Sequence, residues 1–175
     1  MTRWTRVRYR VAQFIRWMRD SVRPIHHTYV RERLSTPALI ELFAQMPRAD
    51  QHHGVSVART LERRGHHDPD LITAALLHDV GKSRAPISVW GRVIVVLGEW
   101  LFPEHADRWG RGEAQGLRRP FVVRHRHAAW GAEMVGQAGA SHTTTQLIRR
   151  HHEPLDDRAE DGDMLAALHD ADDER

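Results

Sequence analysis

The chain contains no cysteine, which excludes disulfide staples and thiolate metal sites. Lysine is nearly missing as well: of 26 Lys plus Arg, only Lys82 is a lysine. No apolar run is long enough to cross a bilayer. The longest, ISVWGRVIVVLGEWLF from Ile87 to Phe102, carries Arg92 and Glu99 and falls short of the roughly 20 residues a spanning helix needs. The N-terminus lacks the uncharged apolar core and small-residue cleavage site of a secretory signal. A cytoplasmic protein is therefore expected. Alternating strand patterns with hairpin turns are missing, as are internal repeats and low-complexity tracts. At 175 residues the chain suits one domain with a small appendage. A domain of this size buries roughly 70% of its unfolded surface and needs no staple to fold.

Net charge is only +3, but it is unevenly spread. Met1 to Arg33 carries nine Arg against Asp20 and Glu32, a sum of +7, whereas Glu153 to Arg175 carries ten acidic residues against two Arg, a sum of −8. The basic pI reflects arginine count and does not by itself indicate a nucleic-acid partner. What the chain has in excess is histidine, 14 residues in all. Neutral imidazole is the commonest metal ligand, so the spacing of these histidines matters.

Nearly every segment reads as helix. Residues 4 to 23 place Trp4, Val7, Val11, Phe14, Ile15, Met18 and Val22 at helical spacing with arginines between them, and Pro24 ends the stretch. Thr36-Pro37 reads as an N-cap and first helical residue, opening a helix to about Met46. Asp50 is expected to cap the next, which stops near Gly65. Asp68-Pro69 opens a third with a heavily apolar face, and Gly81 lies at its C-terminal end. A long helix is expected from Pro86 to about Phe102, then loop with one short helix from 103 to 120. Further helices run from Phe121 to about Ala138, and from a cap at Ser141 or Thr143 to His151-His152. An acidic loop spans 156 to 163, and a last helix starts near Asp163. The expected fold is all-α, a compact helical array with an extra basic N-terminal helix. Residues 1–33 form that helix and 34–175 the domain.

Several polar groups continue the apolar stripes of these helices near helix ends. His53 precedes Val57 and Leu61 by four and eight residues. His78 and Asp79 close a helix that carries Leu71 and Ala75. His127 lies four residues before Gly131, where a missing Cβ lets a neighbouring backbone approach. His151 follows Leu147 and Ile148, and Asp172 follows Leu165 and Leu168. One such histidine is ordinarily a satisfied core residue. Five helices doing the same thing point to a shared partner, because buried imidazoles and carboxylates left unpaired cost several kcal/mol each. A divalent cation is the simplest shared partner, and nitrogen and oxygen ligands suit Mn, Fe, Co, Ni, Mg or Zn.

These segments, DQHHGVSVARTLERRG, AALLHDVGKS and ALHDADDER, resemble the HD-domain superfamily of metal-dependent phosphohydrolases over about residues 35 to 175. The resemblance matches His53 to the first histidine of the H…HD…D pattern, His78 and Asp79 to the HD pair, and Asp172 to the last aspartate, with Asp170 as the alternative. HAAWGAEMV and RRHHE are similar to two further elements that add His127 and His151, the pattern of binuclear members. His152 and His52 then stand as outer-shell or alternative ligands.

What the resemblance implies is one or two divalent metal ions, with Asp79 as the bridge and a small phosphorylated substrate, a nucleotide among the candidates, attacked by metal-activated water. Asp79 and Lys82 would be the catalytic groups, with Lys82 and Arg149 facing the substrate phosphate. A surface lysine near a helix C-terminus is the plain alternative for Lys82. Two rival functions use the same ligands: an HD-type di-iron oxygenase and a non-catalytic metal-binding signalling module. No specific nucleic-acid partner is expected. Residues 1–24 suit either packing on the domain or a homodimer partner, or weak contact with an anionic membrane. The VIVVL helix is expected in the core or a dimer interface.

Overall fold

The computed structural model of the chain describes Ile25 and residues 27–154 and 162–174. The arginine-rich stretch expected as a helix over residues 4 to 23 lies outside the described residues, as does most of the acidic loop. Among the described residues there is no strand, and no helix is long and apolar enough to cross a membrane.

Thr36 caps α2 (Pro37–Gln45) by accepting from the Leu39 amide, with Pro37 at the first helical position. The short helix α1 (His27–Arg31) precedes it. α3 (Arg48–Arg63) begins three residues earlier than expected, with Pro47 in the cap position. Asp50 is therefore not a cap; it lies in the first turn and is only 3% exposed. The helix stops at Gly65, whose φ of 89° is a conformation that side chains with a Cβ resist. Asp68 caps α4 (Pro69–Leu77) by accepting from the amides of Asp70 and Leu71. A 3-10 turn (Val80–Arg84) follows directly after His78 and Asp79.

The next helix, α5 (Val89–Leu101), starts later than expected because Ser88, not Pro86, supplies the cap. The expected loop contains a full short helix, α6 (Pro103–Gly110). It is held by a small second core in which Trp109 meets the Phe121 ring edge-on at 5.1 Å. α7 (Arg119–Gln137), α8 (His142–Arg150), capped by Ser141, and α9 (Gly162–Asp173) complete the array.

The main core is built from the inward faces of α2, α3, α4, α7, α8 and α9, centred on residues such as Leu39, Phe43, Leu61, Leu76, Leu147 and Leu168. Val30 and Leu34 are buried in it too. The expected division between residues 1–33 and 34–175 thus runs through a segment packed into the domain. Tyr29 donates to Glu62 Oε2 (2.9 Å) and Arg33 to Glu62 Oε1 (2.7 Å), fastening α1 to α3.

Two close approaches and one clamp position everything that follows. A Cβ on Gly54 would lie 2.6 Å from the Leu76 carbonyl oxygen, so α3 and α4 touch backbone to backbone beside His53 and His78. A Cβ on Gly81 would lie 1.9 Å from the His127 carbonyl oxygen and 2.6 Å from the Gly131 nitrogen, so the 3-10 turn is pressed into α7. The clamp joins the starts of α4 and α8. Ser141 Oγ donates to Asp70 Oδ1 at 2.7 Å, and Thr144 Oγ1 contacts the same oxygen at 3.0 Å. Both helices are nine residues long, and each is followed at once by a histidine, His78 or His151.

Candidate metal centre

Four of these histidines converge, two from helix ends and two from inside helices. His78 and His151 are the residues that follow α4 and α8, and their rings meet edge-on at 5.2 Å. His53 reaches in from α3, 5.0 Å from His78 ring to ring. His127 projects from α7, 5.3 Å from His151. Asp79 lies between them. Its Oδ2 is 3.6 Å from His78 Nε2 and its Oδ1 is 3.6 Å from His127 Nε2, so each oxygen faces a different histidine.

Two groups of three donors result. His53, His78 and Asp172 form one, and His127, His151 and His152 the other; within each, the donor atoms all lie within 4.8 Å of one another. In the first group Asp172 Oδ1 is 2.6 Å from His53 Nε2 and 3.7 Å from His78 Nε2. In the second, His127 Nε2 and His152 Nε2 are 3.1 Å apart.

The backbone dictates which ring nitrogen faces inward. His78 Nδ1 donates to the Ala75 carbonyl (2.9 Å), His127 Nδ1 to the Arg124 and Val123 carbonyls (2.9 and 3.1 Å), and His151 Nδ1 to the Ile148 carbonyl (2.7 Å). Each proton is thereby held on Nδ1, and each Nε2 lone pair points into the cluster. The Ala75 and Ile148 carbonyls belong to the last turns of α4 and α8, whose acceptors a helix end leaves over; those of Val123 and Arg124 lie inside α7.

The electrostatics fit a cation. Burial, reinforced by the Lys82 ammonium, pushes His127 down to about 3. Burial and the neighbouring His78 and His152 also push His151 well below the usual histidine range. Both are neutral at pH 7 and so are competent ligands. Burial alone would raise the two carboxyls. Instead Lys82, His78, His127 and His53 hold Asp79 well below its ordinary value, and the His53 hydrogen bond and His78 do the same for Asp172. The sharpest sign is that His78 Nε2 and His151 Nε2 are buried with no hydrogen-bond partner. Leaving such an atom unsatisfied costs about 1–3 kcal/mol. One lies in each group, at the point where a metal ion would meet it, so the residues present fit the ion.

Among the other expected residues, Lys82 Nζ sits 2.5 Å from Asp79 Oδ2 and its side chain is 24% exposed. His152 enters the second donor group. His52 and Asp170 are in neither group. Asp172 is the aspartate of α9 that faces the histidines. Arg149 is exposed; two residues from both Leu147 and His151, it lies on the opposite side of α8. The sequence pattern pointed to neither the Gly81 approach nor the Asp70 clamp. The only signal for the former was a glycine directly after the His-Asp pair.

Residues 51–173 match the family model described as HD domain. The chain belongs to the HD-domain family. Its fold is the all-α fold of that family, the superfamily of metal-dependent phosphohydrolases, whose members bind divalent metals. The His/Asp groups of this HD domain could hold such an ion. No curated protein and no solved structure matches the chain.

Proposed function

We propose that this HD domain is a phosphohydrolase that cleaves a small phosphorylated substrate at a two-ion centre. The observation that carries the reading is Asp79, whose two oxygens face two separate histidine groups, each containing a buried Nε2 with nothing else to bind. His53, His78 and Asp172 would hold one ion and His127, His151 and His152 the other, with Asp79 shared.

A bound divalent ion supplies a water of lowered pKa and a Lewis acid for the phosphoryl oxygen. The protein does the rest. The Nδ1–carbonyl bonds keep three imidazoles in one tautomer and one orientation. His78, Asp79 and His127 form a floor whose side chains are at most 5% exposed, and His53 and Asp172, each 25% exposed, form an open rim. The exposed His152 opens the second donor group to solvent as well. Lys82, partly exposed beside Asp79, places a compact positive charge where phosphoryl oxygens gather negative charge.

The test is metal analysis of protein purified without chelator, followed by a phosphate-release screen over nucleotides and simple phosphoesters with oxygen uptake monitored in parallel. The expected result is one or two ions per chain and phosphate release without oxygen consumption, both lost in Asp79→Ala. Oxygen consumption with iron bound and no phosphate released would overturn the reading in favour of an oxygenase.

A further inference from the structure

Among the described residues, every large hydrophobic side chain that is exposed falls between Trp90 and Leu117. α5 buries one face, with Val95 in the second core and Gly98 tight against the Phe121 ring. Its other face carries Trp90, Leu97, Trp100 and Leu101, and Phe102 follows; Trp90 is 76% exposed and Leu117 is 77% exposed. Isolated exposed apolar residues need no explanation, but a set gathered on one helix and the residue after it does.

The charge around this face is basic. Residues 86–126 hold seven Arg against Glu99, Glu104, Asp107 and Glu113, a sum of +3. Arg108, Arg118 and Arg119 in this segment are exposed, Arg118 directly after Leu117. Residues 1–33 repeat the same composition in another part of the chain, with Trp4, Phe14 and Trp17 among nine Arg. The rest of the molecule is acidic on balance. Tryptophan, leucine and arginine side by side suit the boundary between lipid headgroups and acyl chains. A second copy of the chain fits less well. In a two-fold contact the same basic patch comes from both copies, which brings like charge to one interface, whereas anionic headgroups neutralise it.

We propose that the exposed face of α5, with Phe102 and Leu117, docks on an anionic phospholipid bilayer. The helix would lie in the interface plane rather than across it. This contact is independent of the metal centre.

The test is co-sedimentation of the full chain with phosphatidylcholine vesicles and with vesicles of equal parts phosphatidylcholine and phosphatidylglycerol. The chain is expected to pellet with the anionic vesicles and to stay in the supernatant with the neutral ones. Trp90→Ser/Leu117→Ser changes two side chains that scarcely touch the fold. It should lower the partition at least about tenfold, given the apolar area it withdraws, with an unchanged circular-dichroism spectrum. Leu97→Glu/Leu101→Glu should do the same. Absence of pelleting with anionic vesicles would overturn the proposal. So would variants that pellet as the parent does, since binding would then belong to charge or to residues 1–24. A dimer by light scattering that both variants dissociate would assign the face to a second copy instead.

Discussion

Replacing Gly81 by alanine tests whether the close approach of the 3-10 turn to α7 is what builds the second donor group. The added Cβ would sit 1.9 Å from the His127 carbonyl oxygen, 2.6 Å from the Gly131 nitrogen and 2.8 Å from the His127 carbonyl carbon. All three are backbone atoms, so no rotamer change relieves the overlap. Gly81 is not among the glycines with positive φ, so the cost is one of space and not of conformation. Restoring ordinary contact at about 3.4 Å requires the turn and α7 to separate by about 1.5 Å. If α7 simply withdraws, the gap between Asp79 Oδ1 and His127 Nε2 widens from 3.6 Å to about 5 Å, far outside the roughly 0.2 Å tolerance of a metal–ligand bond. Overpacking a tight core costs about 1–3 kcal/mol, and clashing backbone on both sides puts this variant at the upper end. Urea denaturation of metal-free protein should show a loss of about 3 kcal/mol, and metal analysis should show the ion held by His127, His151 and His152 lost while the other remains. Gly131→Ala is the control. Its Cβ meets its nearest neighbours at 3.3 Å, and the helix gains about 0.5–1 kcal/mol in propensity, so stability should stay within about 1 kcal/mol of the parent. Gly81→Ala with parental stability and full metal content would refute the reasoning.

Acidification should destabilise the metal-free protein well above the carboxylate range. The unfolded chain takes up a proton at each histidine near pH 6.5, whereas folded His127 resists until about 3. Unfolding therefore gains as pH falls, and at pH 5 His127 alone should cost about 2 kcal/mol relative to neutral pH. Below about pH 4 the unfolded forms of Asp79 and Asp172 protonate before the folded ones, and stability should fall again; a flat urea midpoint between pH 7 and 5 would contradict this. Lys82→Ala should keep its metal but lower kcat about tenfold or more. It should also weaken the metal-free fold by about 1–3 kcal/mol, because the buried Asp79 carboxylate loses its closest cation. Unchanged kcat would reduce Lys82 to a structural neighbour of Asp79.

Much of this arrangement could be read along the chain, for a physical reason. A polar residue that continues the apolar stripe of a helix must point where the stripe points, which is why His53, His78, His127, His151 and Asp172 could be singled out and why the structure gathers them. Caps were equally legible at Thr36, Asp68 and Ser141, since each is a local bond to an amide two or three residues on. Asp50 misled because it has the right chemistry for a cap but sits inside the first turn of α3. One short helix was expected between 103 and 120, but its place was not legible, because α6 packs through Trp109 against Phe121, a contact outside the helix itself. The same holds for Gly81 against His127 and for Asp70 against Ser141. These depend on which helices become neighbours, and no local pattern encodes that.

The paired helices α4 and α8 act as two rulers of equal length laid from a common zero. The zero is Asp70 bound to Ser141 and Thr144, and the readings are His78 and His151, each one step past a nine-residue helix. One residue inserted into either helix advances its histidine by about 1.5 Å and swings it through about 100°. The buried faces of these helices restrict which residues can stand there, and the two histidines restrict how many. Even equal insertions in α4 and α8 would turn His78 and His151 away from His53, His127 and Asp172, which stand on other helices, so insertions can accumulate only in loops outside these helices.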